Sequence, residues 1–252
     1  MDAKMKIAML AAFCYAAFTL SAKEAVVFVG AHPDDTEGFA ATAFLLRDKY
    51  DIHIVDLTRG ERGLGMEGLY DGSTGTIRVR EEIAACKLLG ATPHFLHEVN
   101  GWAYASESSV HTLTKIFAKL KPIAVFTHWP VDTHPDHVLC AGVVSRALED
   151  ANLRDDPQRY FFEVEQCETR NYVPLYYVDV TSTISNKVDL IRCYACQNKD
   201  DKLAQLKVKE AQWRGAQRSP AVAYAETFTT FDGKPIKDGV IESLPETAVV
   251  ER

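Results

Sequence analysis

The chain has 252 residues, of which 47% are hydrophobic and 25% are charged, and its formal net charge is −7 at pH 7. This balance is that of an ordinary globular protein and excludes disordered, fibrous and membrane-embedded classes. The acidic charge, with no stripe of lysine and arginine, argues against a nucleic-acid partner. Because no Pro/Gly-rich linker divides the chain, the sequence predicts a single domain.

The first 22 residues have the layout of a cleaved secretory signal peptide. Lys4 and Lys6 precede an apolar run of 14 residues, which ends near Ser21 and Ala22. The run is shorter than the ~20 residues that cross a bilayer, so we expect no stable membrane anchor. The pattern predicts a secreted or periplasmic protein whose mature domain covers residues 23–252. An uncleaved N-terminal helix is the alternative interpretation.

From residue 25 onward, short runs of β-branched and aromatic residues alternate with longer stretches of helical apolar spacing. Strands are predicted at residues 25–30, 52–58, 94–99, 123–128, 160–165 and 175–181. Helices are predicted at residues 36–47, 77–89, 107–120, 135–150, 182–198 and 200–213. This alternation favours an α/β fold, a Rossmann-like and mostly parallel sheet with helices on both faces.

In such sheets, ligands bind at the carboxyl ends of the strands. Polar residues follow four of the predicted strands: 32–35 after the first, 59–63 after the second, Asn100 after the third and 129–137 after the fourth. The sequence therefore places its candidate functional residues along one edge of the sheet.

The first polar cluster is Ala31-His-Pro-Asp-Asp35. His32 and a carboxylate three residues later can direct their ligand atoms to one point, and the proline restricts the turn. The adjacent Asp34 and Asp35 raise each other's pKa unless a cation is near. A divalent metal site is one interpretation, and an N-capping aspartate beside a surface histidine is the other.

The second cluster is His134-Pro-Asp-His137, at a predicted helix start. His134 and His137 lie on one side of that start, with Asp136 placed to bond a ring nitrogen. One histidine could bind metal while the other does acid or electrostatic work. Two histidines and one carboxylate with an open position are a common set for catalytic zinc, whereas closed structural sites use four protein ligands. The two clusters together favour a catalytic metal site.

These segments resemble the two hallmarks, A-H-P-D-D and H-P-D-H, of the PIG-L/LmbE-like family of N-acetylglucosaminyl deacetylases. Thr58–Gly63 is similar to the family's T-x-G-E-x-G loop, and Arg78-Val-Arg-Glu81 is similar to its R-x-x-E helix. The resemblance spans about residues 26–231. It implies a zinc-dependent hydrolase that removes an acetyl or other acyl group from the amide nitrogen of an N-acetylated sugar or a related small molecule.

The resemblance also implies residue roles at a site with one Zn²⁺ per chain. The implied zinc ligands are His32, Asp35 and His137. The implied catalytic residues are Asp34 as general base, His134 as oxyanion stabiliser or proton donor to the leaving amine, and Asp136 as the residue that orients His134.

The implied substrate-binding residues are Arg78, Glu61 and Asn100. Asn100 departs from the family pattern, because members often carry an acidic residue there to bind sugar hydroxyls, and this weakens the identification of the sugar. Export favours a glycan or a secreted small molecule as substrate, and the sequence is compatible with a homo-oligomer.

Other functions remain open from the residues themselves. A metal-dependent phosphoesterase would use similar residue types with two metal ions, and a non-catalytic carbohydrate-binding protein could keep the fold. A dinucleotide-dependent oxidoreductase is disfavoured because G-x-G-x-x-G is missing after the first strand. Aromatic side chains that could stack on sugar rings are Trp102, Tyr104, Trp129 and Trp213. Cys193 and Cys196 are interpreted as helix-buried thiols rather than as a redox pair or half of a metal site.

Overall fold

The computed structural model describes residues 23–63, 73–155, 157–165, 168–245 and 247–250. The predicted signal peptide, residues 1–22, lies outside the described residues. Within the described ranges, no helix combines the length and the apolar character needed to cross a membrane.

The described residues form one sheet of eight strands. The strands are β1 Ala25–Gly30, β2 Asp51–Thr58, β3 Thr92–Glu98, β4 Ala124–His128, β5 Gln158–Phe162, β6 Tyr176–Asp179, β7 Ala225–Thr229 and β8 Thr247–Val249. Their order across the sheet is β3-β2-β1-β4-β5-β7-β6-β8. The first five pair in parallel, and the remaining pairings are antiparallel. The predicted mostly parallel α/β fold is confirmed.

The described part of the chain also contains six α-helices. They are α1 Ala40–Leu46, α2 Ser73–Leu89, α3 Glu107–Leu120, α4 Pro135–Asp150, α5 Ile184–Ile191 and α6 Lys202–Gln217. Short 3₁₀ segments cover Asp35–Gly38 and Lys199–Asp201. The Ser106 hydroxyl caps α3 by accepting from the Ser109 N–H at 3.2 Å, and Pro135 opens α4, where a missing N–H costs nothing.

Alternate residues of β1 face opposite layers of the core. Val26 and Phe28 join a cluster with apolar side chains of α1, α2 and α5, while Val27 and Val29 join a cluster with α3 and α4. Phe28 stacks on Phe39, with ring centroids 4.3 Å apart. All six residues of β1 are buried, which is why the strand reads as a continuous apolar run rather than an alternating one. In the described ranges, helices therefore cover both faces of the sheet and leave its edges and strand ends for a ligand.

The sequence-based boundaries fail mainly in the second half of the chain. β7 and β8 were not predicted, and the helix predicted at residues 182–198 ends at Ile191. As a result, Cys193 and Cys196 lie in turns and are only partly buried, which corrects their placement in a helix. The helix predicted at residues 36–47 is divided into the 3₁₀ segment and α1.

Candidate metal centre and active site

The two polar clusters meet because β1 and β4 are neighbours in the sheet. The segment that follows β1 carries His32 and Asp35, and the loop that follows β4 leads to His137 in the first turn of α4. All three side chains are buried. The proximity predicted for two segments about a hundred residues apart is therefore present in the fold.

The three side chains turn one ligand atom each toward a common point. Asp35 Oδ1 lies 3.8 Å from His32 Nδ1 and 3.7 Å from His137 Nε2, and the three residues offer ligand atoms within 4.8 Å of one another. A zinc ion bound by tetrahedral bonds of ~2.0–2.2 Å holds its ligand atoms ~3.3–3.6 Å apart. The spacing is thus close to that of a metal site.

The other polar atom of each side chain is held by the protein. Asp35 Oδ2 accepts from the backbone N–H groups of Ala31 and His32 at 2.7 and 2.9 Å. His32 Nε2 lies 3.1 Å from an Asp136 oxygen, and His137 Nδ1 lies 3.2 Å from Asp132. Carboxylate partners of this kind fix the ring orientation of metal-binding histidines and raise their basicity. The donor set and its support both fit a divalent metal ion.

Two supporting residues at this centre were not identified from the sequence. His128, the last residue of β4, places Nε2 2.8 Å from Asp35 Oδ2, and burial together with the neighbouring His137 lowers the pKa of His128 to about 4. A neutral His128 donates this hydrogen bond and fixes the Asp35 carboxylate. Asp132 is the other residue. The only sequence signal for either was its position near the carboxyl end of β4.

Asp34 sits beside the centre in a constrained backbone conformation. Its φ of 108° lies in the left-handed region that side chains other than glycine rarely adopt. Its N–H points to Glu82 Oε2 at 3.4 Å, and the Arg78 guanidinium contacts both its carboxylate and the Pro33 carbonyl oxygen. Burial raises the pKa of Asp34 to about 6, against the opposing charge of Arg78. A carboxyl with a pKa near neutrality suits general-base catalysis.

His134 is the N-cap of α4 and is partly buried. Its Nδ1 accepts a hydrogen bond from the Asp136 N–H at 3.2 Å. Burial, together with the nearby His32 and His137, lowers the pKa of His134. A neutral ring whose Nδ1 is an acceptor carries its proton on Nε2, so His134 can offer an N–H donor. Its ring lies 4.7 Å from that of His32, centroid to centroid.

Asp136 differs from the expectation that it orients the His134 ring. Its carboxylate oxygens bind His32 Nε2 and accept from the N–H groups of Gly101 at 2.6 Å and Ala103 at 3.3 Å. The only contact with His134 comes from the Asp136 backbone, among the described hydrogen bonds. The physical reason is that the carboxylate is already occupied by the loop after β3 and by His32. Asp136 thus joins the metal centre to that loop.

The predicted substrate-binding residues do not form one group. Glu61 Oε2 accepts from the Asn100 N–H at 3.3 Å, which joins the loops after β2 and β3. Arg78 is almost fully buried and lies beneath these loops, where its Nη1 donates to the Gly60 carbonyl at 3.4 Å. A Cβ at Gly60 or Gly63 would come within 2.5 or 2.6 Å of Arg78 Nη1, so both glycines make room for the guanidinium. In this conformation Arg78 directly contacts Asp34.

Comparison with known proteins finds a family model that matches part of the chain. The model for GlcNAc-PI de-N-acetylase, PIG-L, matches residues 27–148. A 4-oxalmesaconate hydratase from Pseudomonas putida is 26% identical over 230 residues, covering 84% of this chain and 88% of that protein. A 1D-myo-inositol 2-acetamido-2-deoxy-α-D-glucopyranoside deacetylase from Corynebacterium diphtheriae is 29% identical over 157 residues, covering 50% of this chain and 53% of that protein.

The fold is also that of a solved deacetylase structure. The N,N'-diacetylchitobiose deacetylase from Pyrococcus horikoshii superposes with a TM-score of 0.71 at 25% sequence identity, covering 83% of this chain and 84% of that chain. The family match includes β1, β4 and the start of α4, and therefore both polar clusters. The resemblance inferred from the two motifs is confirmed, because residues 27–148 match the PIG-L family model and the fold is that of a solved deacetylase.

Proposed function

We propose that this protein is a zinc-dependent N-deacetylase that removes the acetyl group of an N-acetylated sugar or a related small molecule. The observation that carries the proposal is the arrangement of His32, Asp35 and His137. Each turns one ligand atom to a common point while its other polar atom is held by a protein partner. The PIG-L match and the deacetylases among the similar proteins support this chemistry rather than another use of the same metal.

His32, Asp35 and His137 would hold the metal, with one ion per chain. Two imidazoles and one carboxylate favour zinc over magnesium or calcium, which prefer sites made only of oxygen ligands. When bound, zinc supplies Lewis acidity, which polarises a carbonyl group and makes water a stronger nucleophile at neutral pH.

Asp34 would act as general base on the attacking water. Its carboxylate lies in the turn between two of the proposed ligands, His32 and Asp35, and Arg78 contacts it directly. As the water oxygen bonds to the amide carbon, Asp34 takes the water proton. When the carbon–nitrogen bond breaks, the same proton can pass to the nitrogen, because an amide anion is a poor leaving group. The net change is amide plus water to acetic acid plus amine, which are present at neutral pH as acetate and the protonated amine.

His134 would stabilise the charge that develops on the carbonyl oxygen. The hydrogen bond that Nδ1 accepts from the helix backbone leaves the proton on Nε2, so the neutral ring is a donor. A positioned donor of this type is worth about 10²–10³-fold in turnover. Asp136 would hold His32 in place and Arg78 would hold the Asp34 carboxylate. Glu61 and Asn100, which join the loops after β2 and β3, would border the substrate pocket.

The substrate class is the part of the proposal that depends most on the relatives. The Pyrococcus horikoshii enzyme is named for an N-acetylated disaccharide, and the Corynebacterium diphtheriae enzyme for an acetamido sugar joined to inositol. We therefore propose an acetamido sugar as the substrate class of this protein as well. A location outside the cytoplasm is a proposal that depends on residues 1–22 alone.

A hydratase is the second candidate function. It is favoured by the Pseudomonas putida 4-oxalmesaconate hydratase, which aligns with 84% of this chain. A hydratase also needs an activated water beside a positioned acid and base, so the same centre could serve it. The two candidates differ in product, because only a deacetylase releases acetate.

The test uses purified full-length protein loaded with zinc. We expect about one zinc per chain, acetate release from N-acetylglucosamine or related acetamido sugars, and loss of that activity with a chelator. Two metal ions per chain together with release of inorganic phosphate from phosphate esters would favour the phosphoesterase. Hydration of 4-oxalmesaconate without acetate release from any acetamido sugar would replace the deacetylase with the hydratase, and sugar binding without turnover would support the non-catalytic alternative.

A further inference from the structure

The loop after β3, residues 99–105, presents large aromatic side chains to solvent although its backbone is firmly held. Trp102 and Tyr104 are 68% and 76% exposed. The buried Glu98 carboxylate accepts from the N–H groups of Tyr104 at 3.0 Å and Ser106 at 2.7 Å, and Asp136 accepts from Gly101. Aromatic rings exposed on a tethered loop form a surface whose position is fixed before a ligand arrives.

Trp102 is the chain neighbour of Gly101, which contacts the proposed catalytic centre. The Gly101 N–H is 2.6 Å from Asp136 Oδ2, and Asp136 in turn contacts His32. Trp102 directly follows Gly101, and consecutive Cα atoms are about 3.8 Å apart. The Trp102 side chain is therefore attached close to the contact between Gly101 and Asp136. Because Asp136 and Asn100 are buried and Trp102 is mostly exposed, residues 100–102 lead from the buried centre to the surface. We call this segment the wall of the site, and Trp102 is its outer end.

A second loop supports this wall from the side of β2. The Glu61 carboxylate accepts from the N–H of the buried Asn100 and so joins the loop after β2 to the loop after β3. At the exposed level, the Arg62 guanidinium carbon lies 5.4 Å from the centre of the Trp102 ring. A guanidinium at this distance is attracted to the π face of an indole. The cation lies over the ring, and Trp102 is still 68% exposed, so part of the indole remains accessible to a ligand.

We propose that Trp102, supported by Arg62, binds a second sugar ring of the substrate, so that the enzyme prefers an oligosaccharide to a single N-acetylated sugar. This inference depends on the proposed deacetylase function. The acetamido group must reach the buried centre to react. Trp102 lies at the outer end of the wall, so it would contact the part of the substrate that is attached to the reacting sugar on the solvent side. The C–H groups on one face of a pyranose carry partial positive charge and pack on the negative face of an aromatic ring.

The test compares acetate release from N-acetylglucosamine and from N,N'-diacetylchitobiose, corrected for the number of acetamido groups. The measured quantity is the ratio of kcat/KM for the two-ring substrate to that for the one-ring substrate. We expect the wild-type protein to favour the two-ring substrate, Trp102→Ala to lower the ratio about tenfold, and Trp102→Phe to keep most of it because a π face remains.

Trp213→Ala is the matched control. Trp213 is also an exposed tryptophan, 49% accessible, and the guanidinium carbon of Arg214 lies 4.5 Å from its ring centre. It lies on α6, which packs against β7, whereas the loop with Trp102 follows β3 at the far end of the sheet. We expect the Trp213 variant to keep the wild-type ratio.

The failures of the two proposals are distinguishable. If the wild-type protein deacetylates both sugars without preferring two rings, or if Trp102→Ala keeps the wild-type ratio, the sugar-binding role of Trp102 is overturned while the deacetylase remains. If neither sugar nor any related acetamido sugar releases acetate, the deacetylase function fails and this inference fails with it.

Discussion

The proposed metal centre and a neighbouring group of ion pairs both bury several carboxylates, but they neutralise them differently. In the ion-pair group, each carboxylate has a cationic partner: Glu37 with Lys207 at 3.0 Å, Glu163 with Arg214 at 2.6 Å and Glu226 with Lys187 at 2.7 Å. At the metal centre, the carboxylates of Asp35, Asp132 and Asp136 face imidazole rings instead.

This difference indicates that the ion-pair group has a structural role, whereas the metal centre can accept a cation. Lysine and arginine carry permanent charge near neutral pH, so each of these carboxylates already has a cation supplied by the protein. An imidazole carries charge only when it is protonated. His128 is neutral because its pKa is about 4, whereas the carboxylates of Asp136 and Asp35 overcome the effect of burial and raise the pKa of His32 to about 9. The charge that offsets the carboxylates at the metal centre is therefore an exchangeable proton rather than a permanent cation, and a divalent ion can take its place.

Removal of a proposed ligand should have the largest effect. We expect His137→Ala to lose bound zinc and all measurable deacetylation, because only one histidine and one carboxylate would remain. Metal content after purification, measured together with acetate release, tests this. His111→Ala, at an exposed histidine of α3, should keep both. Full zinc occupancy in the His137 variant would remove it from the ligand set.

Removal of the proposed general base should spare the metal. Asp34→Asn keeps the shape of the side chain but cannot accept the water proton, so we expect kcat to fall by about 10²–10⁴-fold with zinc content unchanged. Asp48→Asn, at an exposed position after α1, is the matched control. Wild-type turnover in the Asp34 variant would contradict its assignment as the base.

A substitution in the ion-pair group should lower the free energy of unfolding but leave metal binding unchanged. Lys187→Met leaves the buried Glu226 without its cation, which costs about 3–5 kcal/mol. Urea unfolding measures this loss, and the folded variant should still bind one zinc. The double variant Lys187→Met/Glu226→Gln should recover part of the stability, because the uncompensated charge is gone.

Lys209→Met, at an exposed lysine of α6, provides the baseline for that experiment. A Lys187 variant as stable as this control would mean that the pair contributes nothing to folding. Loss of zinc from folded Lys187→Met would show that the ion-pair group and the metal centre are coupled, and the contrast between them would then be wrong.

The sequence predicts the centre better than its surroundings because the ligands fall in short local motifs. His32 and Asp35 are three residues apart, and the parallel strands that bring His137 to them are buried apolar runs that are easily recognised. His128 and Asp132 belong to no local pattern, and their roles depend on contacts such as His128 with Asp35, 93 residues apart in the chain. Spacing in one sequence carries no information about such contacts.

The antiparallel end of the sheet was missed for a different reason. β7 has five residues and β8 has three, too short for a distinct periodic pattern. β7 contains Glu226, which is buried because it binds Lys187 and accepts from the N–H groups at the start of α1. A charged residue in a buried strand is interpreted from sequence as a loop or a surface, so only the tertiary contact explains it.

Asp132 offers a finer test of how the metal centre is built. It contacts His137 Nδ1 rather than the proposed metal position, so Asp132→Asn should weaken zinc affinity by about 10–100-fold without removing the ion at saturating zinc. Chelator competition measures the affinity, and added zinc should restore acetate release. An unchanged zinc affinity would show that the Asp132 contact does not support the ligand.

The smallest effect is expected at a histidine pair on the opposite edge of the sheet. His53 Nδ1 lies 3.0 Å from His94 Nε2, and burial together with the neighbouring His53 lowers the pKa of His94 to about 4. The unfolded chain, with an ordinary histidine pKa of about 6.5, therefore binds more protons between pH 6.5 and 4. Stability from a neutral His94 is complete above pH 6.5 and is lost as the pH falls toward 4.

His94→Gln removes this titration but keeps an amide that can donate to His53. We expect the fall in Tm between pH 7 and pH 5 to become smaller by about 2 °C, with zinc content unchanged at pH 7. His97→Gln, at an exposed histidine of the same strand, should show the wild-type pH dependence.

If the His94 variant keeps the acid sensitivity of the wild type, the proton responsible binds elsewhere, and the imidazoles of the metal centre would be the next groups to test. Repeating the measurement with bound zinc distinguishes these sources, because zinc competes with protons for the ligand histidines but not for His94.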